Sequence, residues 1–308
     1  MLRCLFLLMA PLFLFAEAAK PVSLLLDWMP NPNHVVLYAG IEKGIFKKHG
    51  IDLTLKKLSD TADTIPYLTS GLADLAIYYS AHTLRSVAKG ADVQIAGILI
   101  KEPLDALVFR ADSGIKKLAD LSGKVIGSAT GSVSSAYAKS LEERGIKVKE
   151  FKKLTFDLVA ALATRLVDCS FGCSYNIEPE QLNAQGIETR YFKISEFGIP
   201  DYYELIILSG ITPVVKESSF PEKFHKAMTE SIAFAKESPD EAFKLYAKAN
   251  PNKDEKTLLW EKKAWNTTLS LLPKEQKVDL EILKKYAEWL KKYQLLAPDF
   301  EVSAKLIR

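Results

Sequence analysis

From residue 20 to about residue 210 the chain alternates between apolar, β-rich runs and helical segments, and after Phe220 the strand signals stop. The runs are Val22–Trp28, Ile51–Leu55, Asp74–Tyr79, Val93–Ile100 and Leu104–Arg110, and the segments between them include His34–Lys43, Thr64–Gly71 and His82–Lys89. Strand, helix and strand in succession pack as βαβ units, so this order predicts a mainly parallel sheet covered by helices. A second series follows, with strands at Lys124–Ser128, Val148–Leu154, Asp168–Cys173 and Thr189–Ile194 and helices at Ser132–Arg144, Leu158–Leu166 and Pro179–Gln185. Tyr203–Leu208 is a further strand, and the tail is helical over Pro221–Lys236, Pro239–Ala249, Lys256–Leu269 and Leu280–Tyr293. Proline opens two of these helices, at the position where its missing N–H costs nothing. The expected fold class is α/β, with two α/β lobes around a cleft and a helical C-terminal tail. The simplest closure leaves the first lobe near residue 110 and returns near 204, so residues 19–110 plus 205–308 form one lobe and 111–204 the other. Two crossings leave a cleft between the lobes, the natural home of a small ligand.

The first residues read as an export signal. Arg3 gives a positive start, Leu5–Phe15 is a short apolar core, and Ala16-Glu17-Ala18 has the small-x-small form of a cleavage site. That core is too short to anchor in a bilayer, and Cys4 precedes it, so it is not a lipid attachment site. A periplasmic protein cleaved near Ala18 is expected. The formal net charge is +3, and removing Arg3 and Glu17 leaves it unchanged. Its lysines are scattered along solvated helix faces, which excludes a nucleic-acid binder, since that needs a concentrated basic face. Cys169 and Cys173 remain, four residues apart on a strand, where they would sit roughly 13 Å from each other. A disulfide would need the strand to bend at Gly172; free, buried thiols are the expectation.

Several segments resemble a known family. They are Asp27-Trp28-Met29-Pro30-Asn31-Pro32-Asn33-His34 with Leu37-Tyr38, Lys43-Gly44-Ile45-Phe46, Ser70-Gly71-Leu72-Ala73-Asp74, Asp120-Leu121-Ser122-Gly123-Lys124, Tyr175-Asn176-Ile177-Glu178 and Phe197-Gly198-Ile199-Pro200-Asp201-Tyr202-Tyr203-Glu204. On these the chain is similar to solute-binding proteins of ABC importers, in the branch of the formylaminopyrimidine-binding proteins and the fungal pyrimidine synthases of thiamin biosynthesis. The resemblance implies the type II periplasmic-binding-protein fold, which closes like a Venus flytrap on its ligand, and an inner-membrane ABC permease as partner. It implies a monomeric receptor for a thiamin pyrimidine precursor, with no cofactor. The other readings are a sulfonate- or nitrate-type or riboflavin-like uptake receptor, and a pyrimidine synthase. The synthases carry a cysteine-rich motif where this chain keeps only Cys169 and Cys173.

An aminopyrimidine asks for flat apolar faces and for a group that matches its ring-nitrogen and amine edge. Trp28, Tyr38, Tyr78, Tyr79 and Tyr175 offer faces, each contributing roughly 1–3 kcal/mol when a ring stacks on it. Glu178 is the first candidate for the edge as a carboxylate in a charge-assisted pair, with Asn176 adding an amide contact and Glu204 and Asp27 as second choices. The bland reading of Glu178 is a first-turn residue favouring its helix N-terminus. Asn31 and Asn33 donate and accept, but Asn beside Pro is also plain turn chemistry. His34 opens the first helix and is a further candidate contact, as is Ser80 beside Tyr79. The loop Gly127-Ser128-Ala129-Thr130-Gly131-Ser132 joins a strand to a helix, so Ser128, Thr130, Gly131 and Ser132 either receive an anionic oxygen or simply cap the helix. It is neither a Walker loop nor a dinucleotide fingerprint. The histidines, His34, His49, His82 and His225, show no metal spacing, and no Gly-x-Ser-x-Gly elbow is present, so an enzyme is not expected.

Overall fold

The computed structural model describes residues 18–57, 63–129, 131–154 and 157–308; the expected export signal and Thr130 lie outside them, as do the side chains of Gly131 and Ser132. The strands are β1 (Lys20–Leu25), β2 (Ile51–Lys56), β3 (Leu75–Tyr79), β4 (Gln94–Ile100), β5 (Asp105–Arg110), β6 (Val125–Ser128), β7 (Glu150–Lys153), β8 (Cys169–Ser174), β9 (Thr189–Lys193) and β10 (Leu205–Ser209). They form two sheets, in the orders β2-β1-β3-β10-β4 and β7-β6-β8-β5-β9. In the first sheet β1 runs parallel to β2 and β3, and β10 is inserted antiparallel between β3 and β4. The second repeats the plan, with β6 parallel to β7 and β8 and with β5 inserted antiparallel between β8 and β9. Each inserted strand begins at a passage between the sheets: β4 leads into β5 through residues 101–104, and β9 leads back into β10 through 194–204. The chain therefore has the expected two α/β lobes.

Helices cover both faces of these sheets, which is why the strands read as near-continuous apolar runs. β10 is buried at every position, and along β3 and β5 alternate residues enter two different cores. Leu75, Ile77, Ala106 and Val108 join one core, and Ala76, Tyr78, Leu107 and Phe109 the other, as the period of two requires. The C-terminal helices are Phe220–Glu237, Pro239–Ala249, Glu255–Thr268 and Leu280–Lys292, preceded by a short helix at Pro213–Lys216. Glu255–Thr268 packs on the Pro32–His34 turn of the first lobe and on the Glu178–Asn183 helix of the second. Leu280–Lys292 packs on the Ser80–Ala88 helix, while its Trp289 and Lys292 reach Tyr137 and Glu143 of the other lobe. No described helix is long and apolar enough to cross a membrane.

Two local differences from the sequence reading have clear causes. β1 ends at Leu25, so Asp27 and Trp28 belong to the loop that follows and not to the strand. The Leu26 amide still pairs with the Lys56 carbonyl at 2.8 Å, but the Asp27 carboxylate is drawn to His34 and Tyr79 and the backbone turns there. In β8, Cys173 faces Ala106 while Phe171 faces Leu107, so Gly172 is an extra residue, a bulge with φ 85°. A bulge reverses the alternation beyond it. Cys169 accordingly faces one core and Cys173 the other, and both thiols are free and buried. The bend at Gly172 separates the thiols where a disulfide would need it to unite them.

Gly172 occupies the left-handed region, where a Cβ costs about 1–2 kcal/mol. Gly172→Ala should lower the unfolding free energy by about that amount, read as an earlier urea midpoint with an unchanged slope. An unaltered midpoint would show that the bulge tolerates a side chain.

Candidate functional site

At the carboxyl end of β1 the loop residues fasten onto one another. The Asn31 side chain accepts from the Asn33 amide at 2.9 Å and caps the Pro32–His34 turn, with Pro32 pre-set for it. The Asn31 amide donates to His34 Nδ1 at 3.3 Å, which places the ring proton on Nε2, facing Asp27 Oδ1 at 2.8 Å. Tyr79, at the end of β3, donates its hydroxyl to Asp27 Oδ2 at 3.1 Å. Burial, with the Asp27 charge adding to it, holds this phenol far above its usual range, so it stays a donor. His34 is 0 % exposed and works inside the protein as a loop tie. Trp28 and Met29 at the loop tip are 43 % and 52 % exposed.

The second lobe meets this loop through Asn176, in the turn between β8 and the Glu178–Asn183 helix. Its Nδ2 donates to Asn33 Oδ1 and to Thr268 Oγ1, both at 2.8 Å, and all three residues are buried. The orientation of the amide is set by Thr268: its single hydroxyl proton goes to the Ala264 carbonyl at 2.9 Å, so toward Asn176 it can only accept. Both Asn176 donors are thus engaged, and its Oδ1 is buried without a hydrogen-bond partner. Two residues on, Glu178 Oε2 accepts from the Ser174 amide at 2.7 Å, and burial pushes the carboxyl up to about 7 against that bond. Tyr175 stacks on Tyr191 with ring centres 5.4 Å apart, and the Lys193 ammonium stands 4.4 Å from its ring centre.

Other candidates are placed elsewhere. Tyr38 meets Tyr246 of the C-terminal helices edge-on at 5.5 Å, and Tyr78 donates to Asp63 at 2.8 Å and packs on His82. Ser80 donates to the Tyr203 carbonyl at 2.6 Å, in the passage leading to β10. Glu204 is buried in the same passage and accepts from the Leu104 amide at 2.7 Å. Facing it is Asp105, which takes the Tyr137 hydroxyl at 2.8 Å. Burial raises both carboxyls, and the charge of Asp105 raises Glu204 further, to about 8. Ser128 ends β6, buried, its carbonyl accepting from the Leu154 amide at 2.9 Å, and the helix from Gly131 follows.

Asp27, Asn31, His34 and Tyr79 therefore form one bonded cluster, with Asn33 joining it to Asn176 across the lobes. Sequence reasoning missed Thr268 and Asp105. Asp105, an acid inside the apolar Leu104–Phe109 run, was a readable signal; Thr268, at a helix end far along the chain, left none. Two surface hollows, of about 390 Å³ around Arg110, Asp112 and Arg190 and about 690 Å³ around His49, His225 and Glu230, lie at other residues. Both are open to solvent, and neither gathers a comparable buried polar cluster. Among the described residues no group of three or more His, Cys, Asp or Glu side chains could hold a metal ion.

The chain is similar to several known proteins. A formylaminopyrimidine-binding protein of Halalkalibacterium halodurans is 27% identical over 232 residues, covering 74% of this chain and 70% of that one. A Haemophilus influenzae protein whose name places it in thiamine biosynthesis is 28% identical over 283 residues, covering 91% and 89%. A 4-amino-5-hydroxymethyl-2-methylpyrimidine phosphate synthase of Legionella pneumophila is 25% identical over 236 residues, covering 75% and 74%. Among solved structures, the periplasmic aliphatic sulphonate binding protein SsuA of Escherichia coli superposes with a TM-score of 0.68 at 17% identity, over 91% of this chain and 89% of that one, which shows the periplasmic-binding-protein fold. The NMT1/THI5-like family model matches residues 31–242, more than half of the chain, and the protein belongs to that family.

Proposed function

We propose that the chain is the ligand-capturing receptor of an ABC importer and that its lobes close on a thiamin pyrimidine precursor, a flat aminopyrimidine. Asn176 carries this reading. Its donors join the lobes, and its acceptor is buried with no partner where the lobes meet. A buried unpaired acceptor costs about 1–3 kcal/mol, and a ligand amine donating to it would remove that cost. Glu178 stands two residues away, and the exposed Trp28 lies on the loop that Asn176 touches through Asn33. The relative named as a formylaminopyrimidine-binding protein supports the same ligand class. Export through the leader, delivery to a membrane permease and action as a monomer complete the proposal.

The relatives named as synthases define the competing reading. Binding is favoured over it because Cys169 and Cys173 are buried on opposite faces, and burial pushes both thiols up, away from the reactive thiolate.

Thermal unfolding against formylaminopyrimidine, hydroxymethylpyrimidine, thiamin, riboflavin, taurine and nitrate tests the proposal. A pyrimidine at a hundred times its Kd should stabilise the fold by about 2.7 kcal/mol. A response to taurine or nitrate alone would overturn the pyrimidine reading and move the site to residues 127–132. Asn176→Ala should weaken the pyrimidine about 10- to 100-fold by titration calorimetry, the range of one buried hydrogen bond and its orphaned partner.

The Glu178 carboxyl predicts a pH signature. An aminopyrimidine edge offers one acceptor, the ring nitrogen, and one donor, the amine, and a carboxyl holding one proton matches both. Since Oε2 accepts from Ser174, the proton belongs on Oε1. Glu178 keeps that proton up to about pH 7, so affinity should be level below pH 7 and fall about tenfold per unit above it. Glu178→Gln, one donor and one acceptor, should bind at pH 7 within a few-fold of the original and lose this slope. Without ligand the sign is set by linkage. A carboxyl raised in the folded state favours folding fully below its unfolded value, and that contribution disappears as pH rises to about 7. Denaturation of the variant should lack this decline. A titration in which the variant keeps the full slope would take Glu178 out of the site.

A further inference from the structure

The C-terminal helices reach back to the candidate loop through a partly buried charge pair. Lys253, in the turn between the Pro239–Ala249 and Glu255–Thr268 helices, donates from Nζ to the Pro30 carbonyl at 2.8 Å and to Glu261 Oε1 at 2.5 Å. The lysine side chain is 19 % exposed and that of Glu261 only 1 %. Tyr246 donates to both Glu261 oxygens, at 3.2 and 3.1 Å, and its ring centre lies 5.6 Å from the ammonium. Burial raises the Glu261 carboxyl, and the hydrogen bond and charge of Lys253 work against that rise.

A charge pair taken this far out of water is seldom better for stability than well-packed apolar residues. Apolar residues could not do one thing that Lys253 does, which is to hold a loop carbonyl. The ties described above fix the loop at Asp27, Asn31 and His34, on either side of its tip. Between them, the Asn31 side chain donates to the Met29 carbonyl at 3.2 Å, a bond exposed to water. The Pro30 carbonyl is held from outside the loop, next to the exposed Trp28 and Met29, and the ammonium holding it is itself fixed by a buried carboxylate.

We propose that Lys253 is a positioning residue for ligand capture: by gripping the Pro30 carbonyl from the C-terminal helices, it sets the angle at which Trp28 and Met29 meet the ligand. The ligand part rests on reading residues 27–34 as the ligand loop; the holding of the loop does not. Glu261 acts through Lys253, and Tyr246 through Glu261, so the C-terminal helices take part in the site without touching the ligand.

Hydrogen–deuterium exchange of the ligand-free protein tests the grip directly. In Lys253→Met the amides of Trp28, Met29, Asn31, Asn33 and His34 should exchange roughly tenfold faster, while those of β3 and β10 keep their rates. Loop amides that exchange as in the unaltered protein would overturn the proposal. Lys253→Met leaves Glu261 buried without its cation, so Lys253→Met/Glu261→Gln is measured beside it. The double variant removes both charges, keeps an acceptor for Tyr246, and decides by the same criterion if the single variant does not fold. Lys253→Arg, which retains donors and charge, should restore much of the protection. Formylaminopyrimidine titration then separates the two readings. If the unaltered protein binds it, the double variant should bind roughly tenfold more weakly with its melting temperature little changed; equal affinity would overturn the positioning role. If the unaltered protein binds hydroxymethylpyrimidine instead, the same comparison is made with that ligand; if it binds no pyrimidine, the pyrimidine reading falls, and loop exchange alone decides on Lys253.

Discussion

Everything in this fold hangs on the two places where the chain passes between its sheets. At the first, β4 ends at Ile100 and β5 begins at Asp105; at the second, Glu204 leads into β10. Backbone amides at such a passage lose their ladder partners but remain buried, and each must be satisfied by something else. Glu204 does this for the Leu104 amide, accepting it at 2.7 Å from a fully buried position. Asp105 stands close by, ringed by the hydroxyls of Tyr137 and Tyr202, whose own burial keeps them protonated and donating. Burial raises both carboxyls, and the charge of Asp105 raises Glu204 further, so ionising both in this dry setting is costly. The resulting junction is held by directional bonds, and it fixes where each inserted antiparallel strand enters its sheet.

With the passages fixed, the loops at the strand ends are brought face to face, and their own chemistry can act. The Asp27–Asn33 loop is shaped internally by His34 and Tyr79, so it presents Trp28 outward without depending on the second lobe. Asn176 then adds contacts from the opposite side, and Thr268 adds one from the helical tail. The tail is therefore part of the lobe contact. Glu255–Thr268 lies against both lobes, and Leu280–Lys292 joins them again through Trp289 and Lys292.

The sequence made the order of strands and helices plain because each run carried its own periodicity and punctuation. The Asp27–His34 segment stood out for the same reason, since an Asn/Pro cluster after an apolar strand has few other uses. What it did not show were partners chosen over long distances. Tyr38 follows His34 by one helical turn, so the two read as neighbours, but the tail packs on that helix and takes Tyr38 against Tyr246. Glu261 looks from its local pattern like one more solvated helix acid, and only its meeting with Tyr246 and Lys253 makes it buried. Cys169 and Cys173 are free and buried, as their spacing led one to expect, but one extra residue at Gly172 puts them on opposite faces, and no composition rule predicts which strand glycine will bulge.

A receptor of this kind must be able to close without being closed too firmly when empty, since a ligand shifts the balance only by its differential affinity for the closed form. The Asn33–Asn176–Thr268 junction has that character. Two hydrogen bonds favour closure, each contributing about 1 kcal/mol net, while the orphaned Asn176 acceptor opposes it by about 1–3 kcal/mol. These terms nearly cancel, so the empty junction gives closure little net preference of its own. A ligand that donates to Asn176 Oδ1 removes the opposing term and leaves the favourable ones in place. On the proposed reading, the same residue measures whether a donor is present and converts the answer into lobe closure. Nitrate, having nothing to donate there, would leave the balance where it stood.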